Sequence, residues 1–576
     1  MQRKEIKRDN IFQLVITLIS VILLTIVSNY FFTRIDLTSD KRFTLSSHTK
    51  TMLKNLDDIV YFKVYLDGDL PAGFIRLKKA TREILEEFKV YGKDNIQFEF
   101  IDPAESPDRK TRNEIFRQLY KKGLEPTNLT IKEKDGSNKQ KIIFPGIMVS
   151  YRDKEVPVNI LKNNISYSSE GNINASIQAL EYELTFAIHK TTTILSPRIA
   201  FIAGHGELDS LQTGDLAKSL SDYYTVKRVR INSNLYSLRD TFGINRYKLI
   251  VIAKPTEKFS EKDKFIIDQY IMYGGKVLWL VDAVNISMDS LAYSQSTLGF
   301  INNTNLNDML FKYGVRVNPN LIQDMRCSVI PVNTAMVGQK PKFAPAPWIY
   351  FPILEPSQKS TITRNIDLIK TQFVSSIDTV GEDFNIKKTI ILTSSKYSRT
   401  VNAPILVDLS MVSKRIEPRV FTKSFLPTGL LLEGKFKSLF TNRISPVIAQ
   451  NKDIGFKTES KKTSMIVFSD GDIIRNLVTG GVGENTKLLP LGYDRYTKQT
   501  FGNKEMLINC VNYLCGMNDL LESRNKEYKL RLLDRPKIMN ERLKWQLINL
   551  ILPIILVIAF GLLYNYLRKR KYLKQS

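Results

Sequence analysis

Arg198-Ile199-Ala200-Phe201-Ile202-Ala203-Gly204-His205-Gly206-Glu207 is an apolar run that breaks into a glycine-rich turn. A strand ending in such a turn ahead of a helix is the opening unit of an α/β sheet, whose ligands gather beyond the carboxyl ends of the strands. The pattern recurs outward from it. Residues 248–253 form a second apolar strand, and 260–273 read as a helix with Ser260 as cap, Asp263 at its third position and Gly274-Gly275 as its stop. Residues 276–281 are a third strand ending at Asp282, and 464–468 a fourth ending at Asp470-Gly471-Asp472. Residues 503–516 then read as a closing helix. These elements predict a doubly wound, flavodoxin-like sheet over residues 196–520, interrupted by an insertion at about 285–460.

His205, Glu207, Asp282, Asp470 and Asp472 all fall just after predicted strands. Converged at one sheet edge, they would form a polar cleft for a cation or a polar ligand. The other reading is a tight glycine turn with carboxylates that cap the following helices. Three histidines and three cysteines, without C-x-x-C or H-E-x-x-H, predict no metal and no cofactor. Cys510 and Cys515 share one predicted helix, where five residues rotate them about 140° apart, so buried thiols are expected and not a bridge. Gly429 to Lys435 has the glycine and lysine spacing of a P-loop, but Phe436 supplies no hydroxyl for Mg²⁺. Any ATPase is therefore expected on a separate chain.

Upstream, residues 36–195 predict a smaller α/β domain. Strand 59–66 alternates Val60, Phe62, Val64 and Leu66 on one face; a helical pattern follows from Phe74 to Tyr91, stopped by Gly92, and strand 96–101 stops at Asp102-Pro103. This is a right-handed βαβ unit. A hairpin around 142–160 and a helix over 172–190 lead to a boundary at Ser196-Pro197. His189 sits near that helix's C-terminus, where positive charge is favoured, and His48 carries no evident role. Inside the insertion, the Pro-rich stretch 341–356 resists regular helix. It reads as an ordered loop or edge, with Trp348, Tyr350 and Phe351 packed inside or offered to a partner.

The ends of the 576-residue chain carry two apolar stretches, 11–32 and 545–566, each near the ~20 residues of a membrane-crossing helix. The first is too long for a signal-peptide core and offers no A-x-A site. Tyr30, Phe31 and Phe32 at one span and Trp545, Tyr564 and Tyr566 at the other suit interfacial anchors, and Pro553 should kink the second. Basic residues on the outer side of each place the tails, 1–10 and 567–576, in the cytoplasm. Residues 521–544 read as a stalk. The net charge of +26 suits anionic headgroups, cell-wall polymers or an acidic partner. With the body outside the cytoplasm, nucleic acid is not expected as a partner.

Arg42-Phe43-Thr44-Leu45-Ser46, residues 98–103 (FEFIDP), 201–207 (FIAGHGE), 268–282 (DQYIMYGGKVLWLVD) and Glu433-Gly434-Lys435-Phe436 resemble the gliding motility-associated ABC transporter auxiliary family, GldG. The resemblance runs over nearly the whole chain. It implies an inner-membrane, periplasm-facing, substrate-binding subunit that acts with an ABC permease and a separate ATPase subunit, and a second domain like class I glutamine amidotransferases. Amide hydrolysis needs a nucleophilic cysteine on a strand-to-helix turn. No cysteine here occupies one. The expectation is thus a noncatalytic auxiliary subunit; the alternative is a membrane-tethered cell-wall or carbohydrate-binding protein, or a degenerate hydrolase, working through the His205 cleft.

Overall fold

The computed structural model describes residues 2–30, 44–132, 138–163, 168–192, 197–221, 223–333, 335, 340, 342–381, 385–413, 417–451, 453–480, 486–517 and 535–573. Phe31, Phe32, Arg42, Phe43, Ser196 and stalk residues 521–534 lie outside them. The chain divides into two compact units, Met1–Lys526 and Glu527–Ser576.

The first unit begins with helix α1 (Gln2–Tyr30) and α2 (Ser47–Lys54). Strand β1 (Val60–Val64), helix α3 (Ala72–Gly92) and β2 (Ile96–Phe100) form the predicted βαβ unit, with β1 and β2 parallel from Val60↔Ile96 to Val64↔Phe100. The hairpin is β3 (Gly146–Tyr151) and β4 (Lys154–Asn159), which begins later than residue 142 because Asn138–Ile143 pairs instead with Thr127–Lys132. The four strands run β2-β1-β3-β4. Val60, Phe62 and Val64 alternate into a core closed by Leu77, Leu85 and Phe88 of α3 and by Leu180, Leu184 and Ile188 of α4 (Ser169–Thr192). α4 also contacts elements that flank the larger sheet: Phe186, stacked on Tyr182 at 5.6 Å, meets Tyr223 at 4.8 Å, and Lys162 bridges Glu183 of α4 at 2.7 Å and Glu505 of the helix Asn503–Leu514 at 3.2 Å.

The larger sheet holds the elements that began the reading. β5 (Arg198–Ala203), β6 (Thr225–Arg230), β7 (Leu249–Ala253), β8 (Lys276–Leu280) and β13 (Thr463–Phe468) lie side by side in the order β6-β5-β7-β8-β13, all parallel. Chain order reverses between β5 and β7, where open α/β sheets place ligands. Both faces are covered, which is why these strands read as continuous apolar runs. Ala200, Ile202, Ile250, Ile252 and Trp279 pack toward α5 (Glu261–Met272), and Ile199, Phe201, Val251 and Leu278 toward α6 (Asn503–Leu514).

Residues 285–460 correct the expected architecture, because they are not an insertion outside the sheet. They supply its antiparallel half: β9 (Cys327–Asn333), β10 (Phe343–Pro356), β11 (Ile386–Thr393) and β12 (Pro427–Gly434), in the order β9-β10-β11-β12-β13. The P-loop-like spacing lies on β12, whose glycines serve packing. A side chain at Gly429 would meet the Phe468 ring at 2.7 Å and Leu392 at 2.9 Å. The Pro-rich stretch is likewise a 14-residue strand, β10, and not a loop. Its prolines are tolerated because from Phe343 to Pro352 it pairs only with β9. Trp348, Tyr350 and Phe351 are all buried, so they are core residues.

Ser260 caps α5, its hydroxyl accepting from the Asp263 N–H at 3.1 Å. Ser260→Ala is expected to cost about 1 kcal/mol, read as a lower midpoint in denaturant unfolding of the detergent-solubilised chain; an unchanged midpoint would contradict the capping role.

The second unit contains α7 (Arg535–Leu573). Within it, Glu541–Arg570 is long and apolar enough to cross a membrane, the one such helix among the described residues. Pro553 sits inside it. In α1 the described apolar stretch is Ile11–Leu23, and the remainder of the predicted 11–32 span includes residues outside those described.

Candidate functional site

The carboxyl edge of the parallel strands separates the five predicted residues into two clusters. After β5, Gly204 and Gly206 take φ of +114° and +71°, and a side chain at Gly206 would meet Thr256 Oγ1 at 2.1 Å. That turn aims His205 inward. Its Nδ1 lies 3.2 Å from Glu207 Oε1, its Nε2 3.1 Å from Asp263 Oδ2, and its ring stacks on Phe259 at 3.7 Å. Glu207 also accepts from the His205 N–H at 2.7 Å, and Asp263 from the Ser233 N–H at 2.8 Å. Burial works against a charged ring, yet the hydrogen bonds to Glu207 and Asp263 outweigh it and lift the His205 pKa above the ordinary value. Glu207 is also opposed by burial, but the same imidazolium brings its pKa below the ordinary value.

The second cluster joins the ends of β7, β8 and β13. Lys254, which follows β7, pairs with Asp472 and lies 3.3 Å from Asp282 Oδ2. Asp282 Oδ1 accepts from the Gly471 N–H at 2.5 Å, while Asp470 accepts from Asp472 N–H at 2.6 Å and Gln372 N–H at 2.9 Å. Burial, then the Asp472 and Asp282 charges, push the Asp470 carboxyl well above its usual range; burial also raises Asp282. Lys254 is desolvated too, but Asp282 and Asp472 hold its ammonium charged, with a raised pKa. Arg475 stands 3.5 Å from Asp472.

The expected convergence is therefore only partial. A cleft of about 570 Å³ opens at this edge, lined by Lys254, Gln372, Lys370, Arg475 and Arg495, and Asp472 alone of the five predicted residues reaches it. The carboxylates brace loops through backbone N–H groups more than they cap helices. Among the described residues no group of three or more His, Cys, Asp or Glu is placed to hold a metal. Two partners escaped the sequence reading. Lys254 stands directly after a predicted strand, as the acids do, and Asp263 was read only as part of a helix start.

The cysteines are free thiols; Cys510 and Cys515 are buried and Cys327 half-buried. Burial pushes Cys327 and Cys515 up to about 11, and Cys510 further. At pH 7 a thiol with such a pKa is thiolate in only about one molecule in ten thousand. A maleimide at neutral pH is expected to label the native chain slowly and the denatured chain at once; rapid native labelling of Cys510 would contradict this burial.

His48 and His189, which seemed unrelated in sequence, line one cleft of about 650 Å³ with Tyr151 and Arg152. Burial, then the His48 charge, holds His189 below its ordinary pKa, so the charge expected at this helix end is disfavoured.

The family described as an ABC-type uncharacterized transport system matches residues 196–510 of the chain. A domain family of unknown function matches residues 39–150. An uncharacterized protein of Borreliella burgdorferi is 20% identical over 576 residues, covering 98% of this chain and 99% of its own. Among solved structures, the mmIFT52 N-terminal domain aligns with a TM-score of 0.30 at 13% identity, covering 55% of this chain and 97% of its own.

Proposed function

The chain belongs to the ABC-type uncharacterized transport system family, and from that premise we propose a noncatalytic, periplasm-facing auxiliary subunit of an inner-membrane ABC transporter, associated with gliding motility. Its permease and ATPase are separate chains. One observation carries the noncatalytic part: the groups best placed for chemistry at the sheet edge are consumed by one another. His205 is held between two carboxylates, Lys254 is held charged by Asp282 and Asp472, and of the thiols Cys510 and Cys515 are buried and Cys327 half-buried. The apolar helix Glu541–Arg570 supports membrane association. The motif resemblance at 98–103, 201–207 and 268–282 supports the gliding association. Affinity purification of the tagged chain from gently solubilised membranes tests the proposal. Co-recovery of a polytopic permease and an ATPase is expected, and recovery of the chain alone would count against it.

The second reading, a tethered binding protein for cell-wall or carbohydrate material, is favoured by the cleft beside Lys254. Its ligand would be anionic, given Lys370, Arg475 and Arg495 on the walls. Arg475→Ala is a better probe than His205→Ala, since His205 is not among the residues lining that cleft. A saturable anionic glycan ligand lost in Arg475→Ala would favour this reading; binding unchanged by the substitution would remove it.

A further inference from the structure

We propose that the amino edge of the large parallel sheet docks on the anionic surface of the bilayer. The sheet is polarised: acids gather at the carboxyl ends of its strands, and cations begin them. Arg198 opens β5, Lys248 precedes β7, Lys276 opens β8, and Lys461-Lys462 precede β13, four neighbours in the sheet. Arg198, Lys248, Lys461 and Lys462 are exposed, and none of these four forms an ion pair among the described contacts.

An apolar tip projects from the same edge. In the turn at 240–245, the Asp240 carboxylate accepts from the N–H groups of Phe242 at 3.0 Å and Ile244 at 2.8 Å, which fixes the loop. Gly243 lies so close to the Tyr273 ring, at the end of α5, that a side chain there would meet it at 2.7 Å. Phe242 is left 88% exposed and Ile244 64% exposed. A braced loop with two large apolar residues in a cationic surround has the chemistry of an interfacial anchor: apolar groups enter the headgroup boundary while lysines and arginines meet phosphate.

The chain path favours a bilayer as occupant over a second copy or an acidic protein. The segment arriving after α1 joins the body where the Ser46 N–H meets Glu181 at 2.6 Å and where His48 shares a cleft with Thr191 and Thr192, the end of the helix leading into β5. The segment leaving toward α7 departs at Gly516, where a side chain would lie 3.8 Å from Lys248 Nζ. Departure thus falls on the cationic side, and arrival falls beside the helix that leads into β5.

The full chain in nanodiscs, with phospholipid brominated near the headgroup end of its acyl chains, tests the proposal. Trp279 and Trp348 are buried, so Trp545 reports the span and Phe242→Trp adds a probe at the tip. In discs containing phosphatidylglycerol, most of the added emission should be lost. It should return in phosphatidylcholine discs, at about 1 M salt where the Debye length is about 3 Å, and in Lys461→Glu/Lys462→Glu. Quenching of Trp545 without quenching of Phe242→Trp would overturn the docking and leave the span intact. Tip quenching indifferent to lipid charge, salt and the double substitution would also overturn it. Absence of quenching at both sites would overturn docking and span together. Phe300→Trp, on an exposed strand of a separate small sheet, should stay unquenched; its quenching alongside the tip would show unspecific contact and defeat the assignment to this edge.

Discussion

Lys254→Ala will destabilise the detergent-solubilised chain by about 3–5 kcal/mol, the cost of removing one partner from a buried ionic cluster. The ammonium is the counter-charge shared by Asp282 and Asp472 at the ends of three strands, and without it those largely buried carboxylates repel one another. Lys254 also adopts a φ of +53°, a conformation that glycine takes without strain. Lys254→Gly therefore separates charge from backbone: it relieves the strain yet should remain strongly destabilised. A glycine variant as stable as the parent would show that the ammonium contributes nothing.

The pH dependence follows from the raised carboxyls. Asp470 and Asp282 have folded pKa values above their unfolded ones, so their charged forms oppose folding. Stability is lost as pH rises from the ordinary carboxyl value through the raised values. Removing Lys254 raises them further. The gap between variant and parent should therefore be widest at neutral pH and narrow on acidification, as monitored by urea unfolding across pH.

His205→Ala is expected to cost about 3 kcal/mol, because it leaves Glu207 and Asp263 facing each other across a buried gap and removes the ring stacked on Phe259. Its pH signature runs the other way. The folded His205 pKa is raised, so the contribution is complete below the unfolded value of about 6.5 and is lost as pH rises through the folded value. Glu207, lowered in the fold, contributes above its unfolded value and loses that contribution as pH falls through its folded value. The His205→Ala deficit should shrink in mild alkali while the Lys254→Ala deficit shrinks in acid. Parallel pH profiles for the two variants would contradict the separation of the clusters.

The parallel strands were legible because burial on both faces leaves uninterrupted runs such as Ile199–Ala203 and Leu249–Ala253, each followed by a turn or a capped helix. The antiparallel half was hidden by local chemistry. The prolines of Phe343–Pro356 argue against a central strand, and they are accommodated because most of that strand pairs on one side only. The P-loop-like spacing from Gly429, already set aside for want of a hydroxyl at Phe436, gave no hint of a strand, yet the missing side chain of Gly429 makes room for Phe468. At the candidate site, position after a strand drew attention to His205, Glu207, Asp282, Asp470 and Asp472, but spacing carries no information on pairing. That Lys254 belongs with the aspartates, and Asp263 with His205, is a consequence of chain reversal between β5 and β7 and of three strands ending together.

The proposed role is that of a subunit of a transport complex, with the apolar helix Glu541–Arg570 among the places where partners meet it. A photo-crosslinking residue in place of Ile555, within Glu541–Arg570, tests this in native cells. Adducts with a polytopic membrane protein that co-purifies with an ATPase are expected. Adducts confined to lipid or to a second copy of the chain would contradict it.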